Sequence, residues 1–287
     1  MKSPDFSPQR QNSSTDSLTA SSLPPVKILH RRFWQGRTVD VVEEASGNRA
    51  LYFMSRFIQS RMDPADPIRL VLPYSRHIMA SLLFLEETAP PNVLMIGLGG
   101  GSLAKFLLHH FPEAHLDVVE IDEGMEVLAR TFFALPDDPR LRIHVADGWE
   151  YLQRDIKETY DLILVDAFDR DGMARTVYVR QFFQAARKLT TPTGIVAVNL
   201  AKSDSLVYNT SAKLLKGLCA DSLYRLPVRT SRNEILMCSN APIPPLDWKR
   251  MENRAQTLGQ RIPLEFGQFL QDIRRFSSPF WSRGIHW

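Results

Sequence analysis

The spacing of apolar residues changes several times along the chain, and each change predicts a different type of secondary structure. Three short stretches with strand character come first, at Val26–Trp34, Thr38–Glu43 and Ala50–Met54. Turn-forming residues separate them, Gln35-Gly36 and then Ser46-Gly47-Asn48. Strand-like runs bounded by turn formers are typical of a β-meander. The sequence therefore predicts a small antiparallel β domain over residues 26–72.

A helical spacing of apolar residues begins near Pro73 and stops at Pro90-Pro91, and strands and helices then alternate. The expected elements are strand 93–96, helix 103–111, strand 116–121, helix 125–133, strand 141–145, a helix from 149, strand 161–165, helix 179–189 and strand 194–200. The run Asp161–Val165 is almost wholly apolar, as expected for a central parallel strand covered on both faces. This order predicts a doubly wound, Rossmann-like α/β domain over residues 73–240.

The two ends of the chain are less regular. Residues 1–25 are rich in Ser, Pro and Gln, and they hold too little apolar surface to offset the entropy of ordering. We expect them to be disordered. After the α/β alternation the pattern predicts a helix at Ser211–Cys219, a closing hairpin from Leu223–Val228 and Glu234–Ser239, and an amphipathic helix near Leu264–Arg274. The last of these lies in a C-terminal helical extension over residues 241–287.

Composition and charge exclude several classes of protein. The chain has 287 residues, of which 44% are hydrophobic and 23% charged, and a formal net charge of +3. No apolar run approaches the roughly 20 residues of a membrane span, and the N-terminus lacks an apolar core, so we expect no secretory signal. The basic pairs are expected on the solvated surface, at Arg31-Arg32, Lys249-Arg250 and Arg274-Arg275. We therefore expect neither a membrane nor a nucleic-acid partner.

The cysteines and histidines carry no metal-binding pattern. Cys219 and Cys238 lie in no Cys-x-x-Cys or Cys/His cluster, and the histidines lack ligand spacing. Two isolated cysteines argue against a structural zinc site or a disulfide framework and fit a reducing compartment. The sequence therefore predicts a soluble, cytoplasmic protein without a metal site.

The first candidate site is the run Gly97-Leu98-Gly99-Gly100-Gly101, between an apolar strand and a helix. Glycines at such a junction let the main chain turn tightly and approach a ligand closely. The helix that follows offers unpaired N–H groups and a positive potential at its first turn. Because the run stands at the first strand–helix junction of an alternating series, Gly97, Gly99 and Gly101 are predicted to contact a nucleotide or nucleoside.

Two further carboxylates follow the next two strands. Glu120 ends the second strand about twenty residues after the glycines, where an acidic residue typically accepts hydrogen bonds from ribose hydroxyls. Asp147, followed by Gly148, ends the third strand, and its carboxylate can accept from an adenine amino group. The alternatives are that Glu120 faces solvent and that Asp147 only caps the helix starting at Trp149.

The acidic segment Asp166-Ala-Phe-Asp169-Arg-Asp171-Gly172 follows the apolar strand that ends at Val165. Ligands of open α/β sheets bind at the carboxyl ends of the strands, so these acids overlook the predicted site. Asp166 ends a buried strand, and burial raises the pKa of a carboxyl group into a range useful for a general base. Asp169 fits a solvated loop equally well, and Asp171 is expected to be a turn residue.

Four motifs follow one another along the α/β part of the sequence: VLMIGLGGGSL, DVVEID, DPRLRIHVADG and YDLILVDAFD. In this order and spacing they resemble the spermidine synthase (polyamine aminopropyltransferase) family. The resemblance runs from about Leu51 to Leu200 and more weakly to Ser239. It implies a small β domain before a Rossmann-like domain, a homodimer, decarboxylated S-adenosylmethionine as co-substrate, and a polyamine as acceptor.

The resemblance also implies roles for individual residues. The residues that match its cofactor-binding positions are Gln59, Glu120, Asp147 and Gly148, which would hold the methylthioadenosine part. Tyr74 and Asp169 match positions on the polyamine side, and Asp166 matches the base that takes a proton from the amine. An alkylamine is mostly protonated at neutral pH, so it must lose a proton before it can attack carbon.

Several positions depart from the family pattern, including Ala167 and Phe168, where the family has hydroxyl side chains. Gly100 stands where the family has an aspartate that binds the aminopropyl ammonium, Arg76 replaces a glutamate, and Arg170 adds a cation within the acidic segment. The adenosine half of the site is thus kept and the polyamine half is altered. Three functions remain open: aminopropyl transfer to a diamine such as putrescine, methyl transfer from ordinary S-adenosylmethionine, and non-catalytic binding of a nucleoside or polyamine.

Overall fold

The computed structural model describes residues 27–53, 58–85, 90–169, 172–219, 222–239 and 248–277. The tail that the sequence predicts to be disordered, residues 1–25, lies outside these ranges. Arg170 and Asp171 also lie outside the described residues, as does the side chain of Asp169.

An antiparallel sheet of four strands forms the N-terminal part of the fold. Its strands, in spatial order, are β1 (Lys27–Trp34), β2 (Arg37–Glu43), β3 (Arg49–Phe53) and β4 (Ile58–Met62). The first three lie where the sequence predicts them, and Val39, Val41 and Leu51 bury one face of the sheet. β4 was not predicted because its sequence, IQSRM, is mostly polar. Pairing with β3, rather than its own pattern, holds it in the sheet.

A helical segment connects this sheet to the α/β part. It begins as α1 (Pro73–Ile78), with Pro73 in its first turn, and continues as a 3₁₀ helix at Met79–Phe84. Its buried residues include Ile78, Met79 and Leu82. The helical spacing read from the sequence is therefore confirmed, although the second half is wound more tightly than an α-helix.

The α/β part is built on a seven-stranded sheet in the order β12-β13-β11-β8-β5-β6-β7. The strands are β5 (Asn92–Ile96), β6 (His115–Glu120), β7 (Leu141–Val145), β8 (Tyr160–Val165), β11 (Thr190–Ala201), β12 (Leu223–Pro227) and β13 (Asn233–Ser239). The helices are α2 (Ser102–His110), α3 (Met125–Phe133), α4 (Gly148–Leu152), α5 (Arg180–Leu189) and α6 (Ser205–Cys219). A two-stranded ribbon, β9 (Phe168–Asp169) with β10 (Gly172–Met173), follows β8.

The strands of this sheet are parallel from β7 to β11, and β13 closes the sheet antiparallel to β11. β5 lies between β6 and β8, so the chain builds the sheet outward from β5 in both directions. The predicted doubly wound fold and closing hairpin are confirmed. Ligands of such sheets bind at the carboxyl ends of the strands near the point where the winding reverses. This places the expected site beside the end of β5.

Both faces of the central strands are buried, which explains their continuous apolar sequence. On β5, Val93 and Met95 join the core shared with the N-terminal sheet, whereas Leu94 and Ile96 join the core on the opposite face. β8 divides in the same way between Leu164 and the neighbouring Val165. A strand that is buried on both faces does not show the alternation of apolar and polar residues that marks a half-exposed strand.

Two helices end the described chain, α7 (Trp248–Arg261) and α8 (Phe266–Phe276). α8 coincides with the predicted amphipathic helix, but α7 was missed. The buried residues of α7 are Met251, Ala255 and Leu258, which do have helical spacing. Most of the remaining positions of α7 are polar or charged, which obscured this narrow apolar face. In the part of the chain that the structure describes, no helix is both long and apolar enough to cross a bilayer.

Two expectations about single residues were wrong. Cys219 and Cys238 form a disulfide, with their Cα atoms 5.9 Å apart. The closing hairpin returns β13 beside the end of α6, a proximity that the spacing of the cysteines does not reveal. Disulfides persist in oxidising environments, so the cysteines no longer support a reducing compartment. Arg32 was expected on the solvated surface, but it is partly buried and forms an ion pair with the buried Asp122.

Candidate active site

A cavity of about 380 Å³ opens at the carboxyl ends of the parallel strands. Its wall comes from both sheets and from the helices and loops beside them, and the N-terminal sheet supplies Trp34 and Phe53. The wall includes eight of the residues proposed from the sequence: Gln59, Tyr74, Gly97, Gly99, Glu120, Asp147, Gly148 and Asp166. Gly101 does not line it, and the side chain of Asp169 is not described. Residues far apart in sequence thus meet around one cavity.

The glycine run turns tightly between β5 and α2. Gly97 has φ 101° and Gly99 has φ 52°, in the left-handed region that favours glycine. The amide of Gly97 donates to the carbonyl oxygen of Val119 at 2.8 Å, which holds the loop against β6. Gly101, with φ 71°, stands at the N-cap of α2, where a Cβ atom would lie 2.7 Å from Leu135. Gly101 therefore serves the turn and its packing rather than the cavity wall.

The carboxylate of Glu120 is held by main-chain amides on both oxygens. Oε2 accepts from the amide of Leu98 and Oε1 accepts from the amide of Asp122, each at 2.9 Å. Burial raises the pKa of Glu120, and these hydrogen bonds act in the opposite direction. A carboxylate oxygen can accept more than one hydrogen bond, so Glu120 can still receive ligand hydroxyl groups.

Asp147 caps the short helix α4. Its Oδ1 accepts from the amides of Trp149 at 2.8 Å and Glu150 at 3.2 Å. Its Oδ2 accepts from the hydroxyl of Thr176 at 2.9 Å. The helix-capping role that the sequence left open is therefore present. Because Asp147 also lines the cavity, an additional contact with a bound ligand stays a prediction.

Asp166 lies at the end of β8 and is partly buried. Its Oδ1 accepts a hydrogen bond from Asn199 Nδ2 at 2.8 Å. Burial raises the pKa of Asp166 to about 6, against the opposing hydrogen bonds from Asn199 and Tyr74. The raised pKa agrees with the prediction made from the position of Asp166 at the end of a buried strand. A carboxyl group with this pKa is ionised at neutral pH yet accepts a proton readily, which suits a general base.

Tyr74 connects α1 to the N-terminal sheet beside Asp166. Its hydroxyl donates to the main-chain oxygen of Gln59 at 3.2 Å. Burial and the nearby Asp166 carboxylate raise the pKa of Tyr74 well above its usual value, so it remains a neutral donor. The structure thus brings together two residues, Gln59 and Tyr74, that the sequence could place only separately.

Among the described residues of the site that sequence reasoning missed, two donate side-chain hydrogen bonds to its carboxylates. Asn199 is fully buried in β11 and holds Asp166. The signal was present, since Asn199 is the one polar residue in the apolar run Ile195–Leu200, and a buried polar group needs a partner. Thr176 precedes α5 in an irregular segment, and nothing in the sequence distinguishes it from other loop hydroxyls.

The position of Gly100 is closed by its neighbours. A Cβ atom there would lie 2.6 Å from Ser60 Oγ and 3.0 Å from the ring of Phe133. Ser60 Oγ in turn lies 3.4 Å from Ser102 Oγ, and both serines line the cavity. Gly100 carries no carboxylate, and the space that a side chain at this position would need is already filled.

Comparison with known proteins agrees with this geometry. The family model described as "Spermine/spermidine synthase domain" matches residues 72–218, more than half of the chain. The chain belongs to the spermine/spermidine synthase family. The polyamine aminopropyltransferase of Chromobacterium violaceum is 34% identical over 239 residues, which cover 83% of this chain and 89% of that protein. This member of the spermine/spermidine synthase family is therefore a transferase.

Two solved structures show how far the fold is shared. A spermidine synthase in complex with the transition state analogue AdoDATO superposes with a TM-score of 0.71 at 16% identity, covering 90% of this chain and 87% of that one. Human methyltransferase-like protein 13 in complex with SAH gives a TM-score of 0.59 at 26% identity, covering 70% and 93%. The fold of this spermine/spermidine synthase family member is thus also found in a methyltransferase-like protein.

Proposed function

We propose that the protein transfers an aminopropyl group from decarboxylated S-adenosylmethionine to a diamine such as putrescine and releases methylthioadenosine. The observation that carries this proposal is Asp166, a carboxylate with a pKa of about 6 that lies in the cavity and is held by Asn199. The family supplies the coarser statement, a transferase of the aminopropyltransferase type.

The proposed chemistry uses residues of this chain in three ways. Glu120 and the glycine loop would hold the nucleoside, with Glu120 accepting from ribose hydroxyls. Asp166 would attract the cationic amine and take its proton. The freed amine nitrogen forms a bond to the aminopropyl carbon that is attached to the sulfonium. The bond between this carbon and sulfur breaks, and its electron pair neutralises the sulfur of the departing methylthioadenosine.

Burial favours this proton transfer. A buried amine has a lowered pKa because its charged form is desolvated, whereas burial raises the pKa of Asp166. The two pKa values therefore approach each other, and the proton moves at a smaller free-energy cost than it would in water. The neutral hydroxyl of Tyr74 lies on the same side of the cavity, where it hydrogen-bonds to Asp166 and to the main-chain oxygen of Gln59.

The test is a product assay with purified protein, decarboxylated S-adenosylmethionine and a panel of diamines and polyamines. We expect amine-dependent release of methylthioadenosine, quantified by mass spectrometry. Asp166→Asn should lower kcat by about 10²–10⁴-fold while methylthioadenosine still binds. If wild-type protein binds the cofactor but releases no methylthioadenosine with any amine, the proposal fails.

A second candidate is methyl transfer from ordinary S-adenosylmethionine. It is favoured by Gly100, which has no carboxylate to bind an aminopropyl ammonium and whose Cβ position lies against Ser60 and Phe133. The solved methyltransferase-like protein with bound SAH shares the fold at 26% identity. Calorimetry with the ordinary and the decarboxylated cofactor separates the two candidates. Tighter binding of the ordinary cofactor, with SAH as the product, would replace the first proposal with the second.

A further inference from the structure

Asp166 is one end of a chain of side-chain hydrogen bonds that crosses the sheet. Asn199 Nδ2 donates to Asp166 Oδ1 at 2.8 Å, and Asn233 Nδ2 donates to Asn199 Oδ1 at 3.0 Å. The hydroxyl of Ser231 donates to Asn233 Oδ1 at 2.9 Å. Every link has a donor facing an acceptor, so the direction of the chain is defined from Ser231 to Asp166.

We propose that Asn199 is a positioning residue for Asp166 and that Asn233 and Ser231 fix the direction in which its amide points. The effect of this arrangement on catalysis rests on the proposed function, in which Asp166 is the base. The hydrogen-bond chain itself does not depend on which group is transferred.

The pairing of β11 with β13 places the two asparagines on one face of the sheet. Asn199 pairs with Ile235, and Asn233 lies two residues before Ile235 on the same strand. Residues two apart on a strand share a face, so the two side chains are diagonal neighbours. The main-chain oxygen of Asn199 also accepts from the hydroxyl of Tyr178 at 3.0 Å, which fixes this end of β11.

The turn of the hairpin fixes the other end of the chain. The amide of Val228 donates to the carbonyl of Asn233 at 3.0 Å, and the amide of Ser231 donates to the carbonyl of Val228 at 3.2 Å. The amide of Asn233 donates to Ser231 Oγ at 3.3 Å. Because Ser231 accepts from this amide, its own hydroxyl hydrogen is directed to Asn233 Oδ1.

The direction of the amide decides which form of Asp166 is favoured. With Nδ2 facing Oδ1, Asn199 donates a hydrogen bond that stabilises the carboxylate form of Asp166. With the amide turned over, Asn199 Oδ1 would face Asp166 and favour the protonated acid instead. Asn199 is fully buried, so water cannot hold its amide in one orientation, and a second protein partner is needed. Asn233 is this partner, because it occupies Asn199 Oδ1.

Other ionisable groups line the same cavity as Asp166. The ionisable side chains that share the cavity wall with Asp166, among the described residues, are Arg61, Tyr74, Glu120, Asp122 and Asp147. Arg61 and Asp122 are each held in an ion pair, with Glu44 and Arg32 respectively. The proposed variants leave all of these groups unchanged, so a change in the titration of Asp166 reports on the hydrogen-bond chain.

The experiment is a carboxyl ¹³C NMR titration of the full-length protein between about pH 4 and pH 8, with the Asp166 signal assigned by its loss in Asp166→Asn. We expect Asn199→Leu to increase the proton affinity of Asp166 about fivefold or more, the equivalent of one hydrogen bond. Asn233→Ala and Ser231→Ala should act in the same direction with smaller effects. These two positions are partly exposed, so their variants test the proposal even if Asn199→Leu does not fold.

The matched control is Tyr208→Phe. It removes a hydrogen bond to Glu234, the residue next to Asn233 on β13, without changing any charge. We expect it to lower stability and leave the titration of Asp166 unchanged. An unchanged titration in Asn233→Ala, or an equal change in Tyr208→Phe, would overturn the proposal.

Turnover gives a second readout. If the wild-type protein transfers aminopropyl groups, the acid limb of kcat/KM against pH should move to higher pH in Asn233→Ala and stay in place in Tyr208→Phe. The carboxyl titration needs no substrate. If the protein transfers no aminopropyl group, the carboxyl titration still tests the hydrogen-bond chain. If the titration contradicts the hydrogen-bond chain, the product assay still tests the proposed function.

Discussion

A Cβ atom on Gly97 would lie 2.3 Å from the main-chain oxygen of Asp166. The glycine loop and the proposed base are therefore in direct main-chain contact across β5 and β8, and any side chain at Gly97 must separate them. This contact joins the nucleoside half of the site to its chemical half.

We expect Gly97→Ala to lower the free energy of unfolding by roughly 2–4 kcal/mol and to weaken cofactor binding at least tenfold. Two effects add, the strain of alanine at φ 101° and the clash with Asp166. Thermal unfolding and calorimetry with methylthioadenosine measure them.

Gly47→Ala is the control for Gly97→Ala. Gly47 has φ 82°, and a Cβ atom there has no neighbour within 4 Å. It should show only the strain, about 1 kcal/mol. Equal losses in both variants would mean that the contact between Gly97 and Asp166 is unimportant.

Inserting the family's aspartate should not restore an ammonium site. Gly100→Asp is expected to destabilise the protein by about 1–3 kcal/mol, because its Cβ would meet Ser60 Oγ and the ring of Phe133. Adding Ser60→Ala should recover part of the loss, since it removes the atom at 2.6 Å. Gly259→Ala in α7, where a Cβ meets nothing within 4 Å, should be neutral or slightly stabilising. Tighter binding of decarboxylated S-adenosylmethionine by Gly100→Asp would contradict this account.

The raised pKa of Asp166 makes the base a source of instability at neutral pH. Its folded pKa, about 6, lies above the ordinary 3.8, so its contribution is most favourable below pH 3.8 and is lost as pH rises through 6. Asp166→Asn should therefore increase the free energy of unfolding by about 2 kcal/mol at pH 7 and much less at pH 4. Urea unfolding at the two pH values measures this. A gain that does not depend on pH would mean that the carboxyl titrates normally.

Lys105 should limit stability from a position outside the cavity. It is buried in α2, its Nζ contacts Met62 and the carbonyl oxygen of Phe133, and burial lowers its pKa to about 8. Its contribution is fully present above the unfolded value of 10.5 and is lost as pH falls through 8. Lys105→Met should stabilise the protein at pH 7 by about 1–2 kcal/mol, because removing the buried charge outweighs the lost hydrogen bond. The difference from wild type should shrink between pH 8 and pH 10, and a constant difference would disprove the assignment.

The disulfide should contribute measurably to stability. It closes a segment of 19 residues between α6 and β13, for which about 2–4 kcal/mol is expected. The double variant Cys219→Ser with Cys238→Ser should unfold at correspondingly lower urea concentration. Reductant should destabilise wild-type protein and leave this variant unaffected. If reductant has no effect on the wild type, the two cysteines are not bonded in solution.

The regular elements were largely determined by local sequence. Residues 125–133 and 141–145 were predicted with the bounds that α3 and β7 have, because their apolar spacing is unambiguous. β4 and α7 were missed because their apolar residues are few. What holds β4 is its ladder with β3, an interaction that no local pattern contains.

The sequence by itself determined the α/β order, the glycine loop and the carboxylates at the strand ends, since short-range periodicity and fixed strand–helix junctions encode them. Only the tertiary structure decided that Asn199 and Asn233 meet beside Asp166, that Ser60 and Phe133 fill the space at Gly100, and that Cys219 bonds to Cys238. These contacts join residues distant in sequence. Their geometry depends on how the closing hairpin and the N-terminal sheet pack against the central strands, which local spacing does not specify.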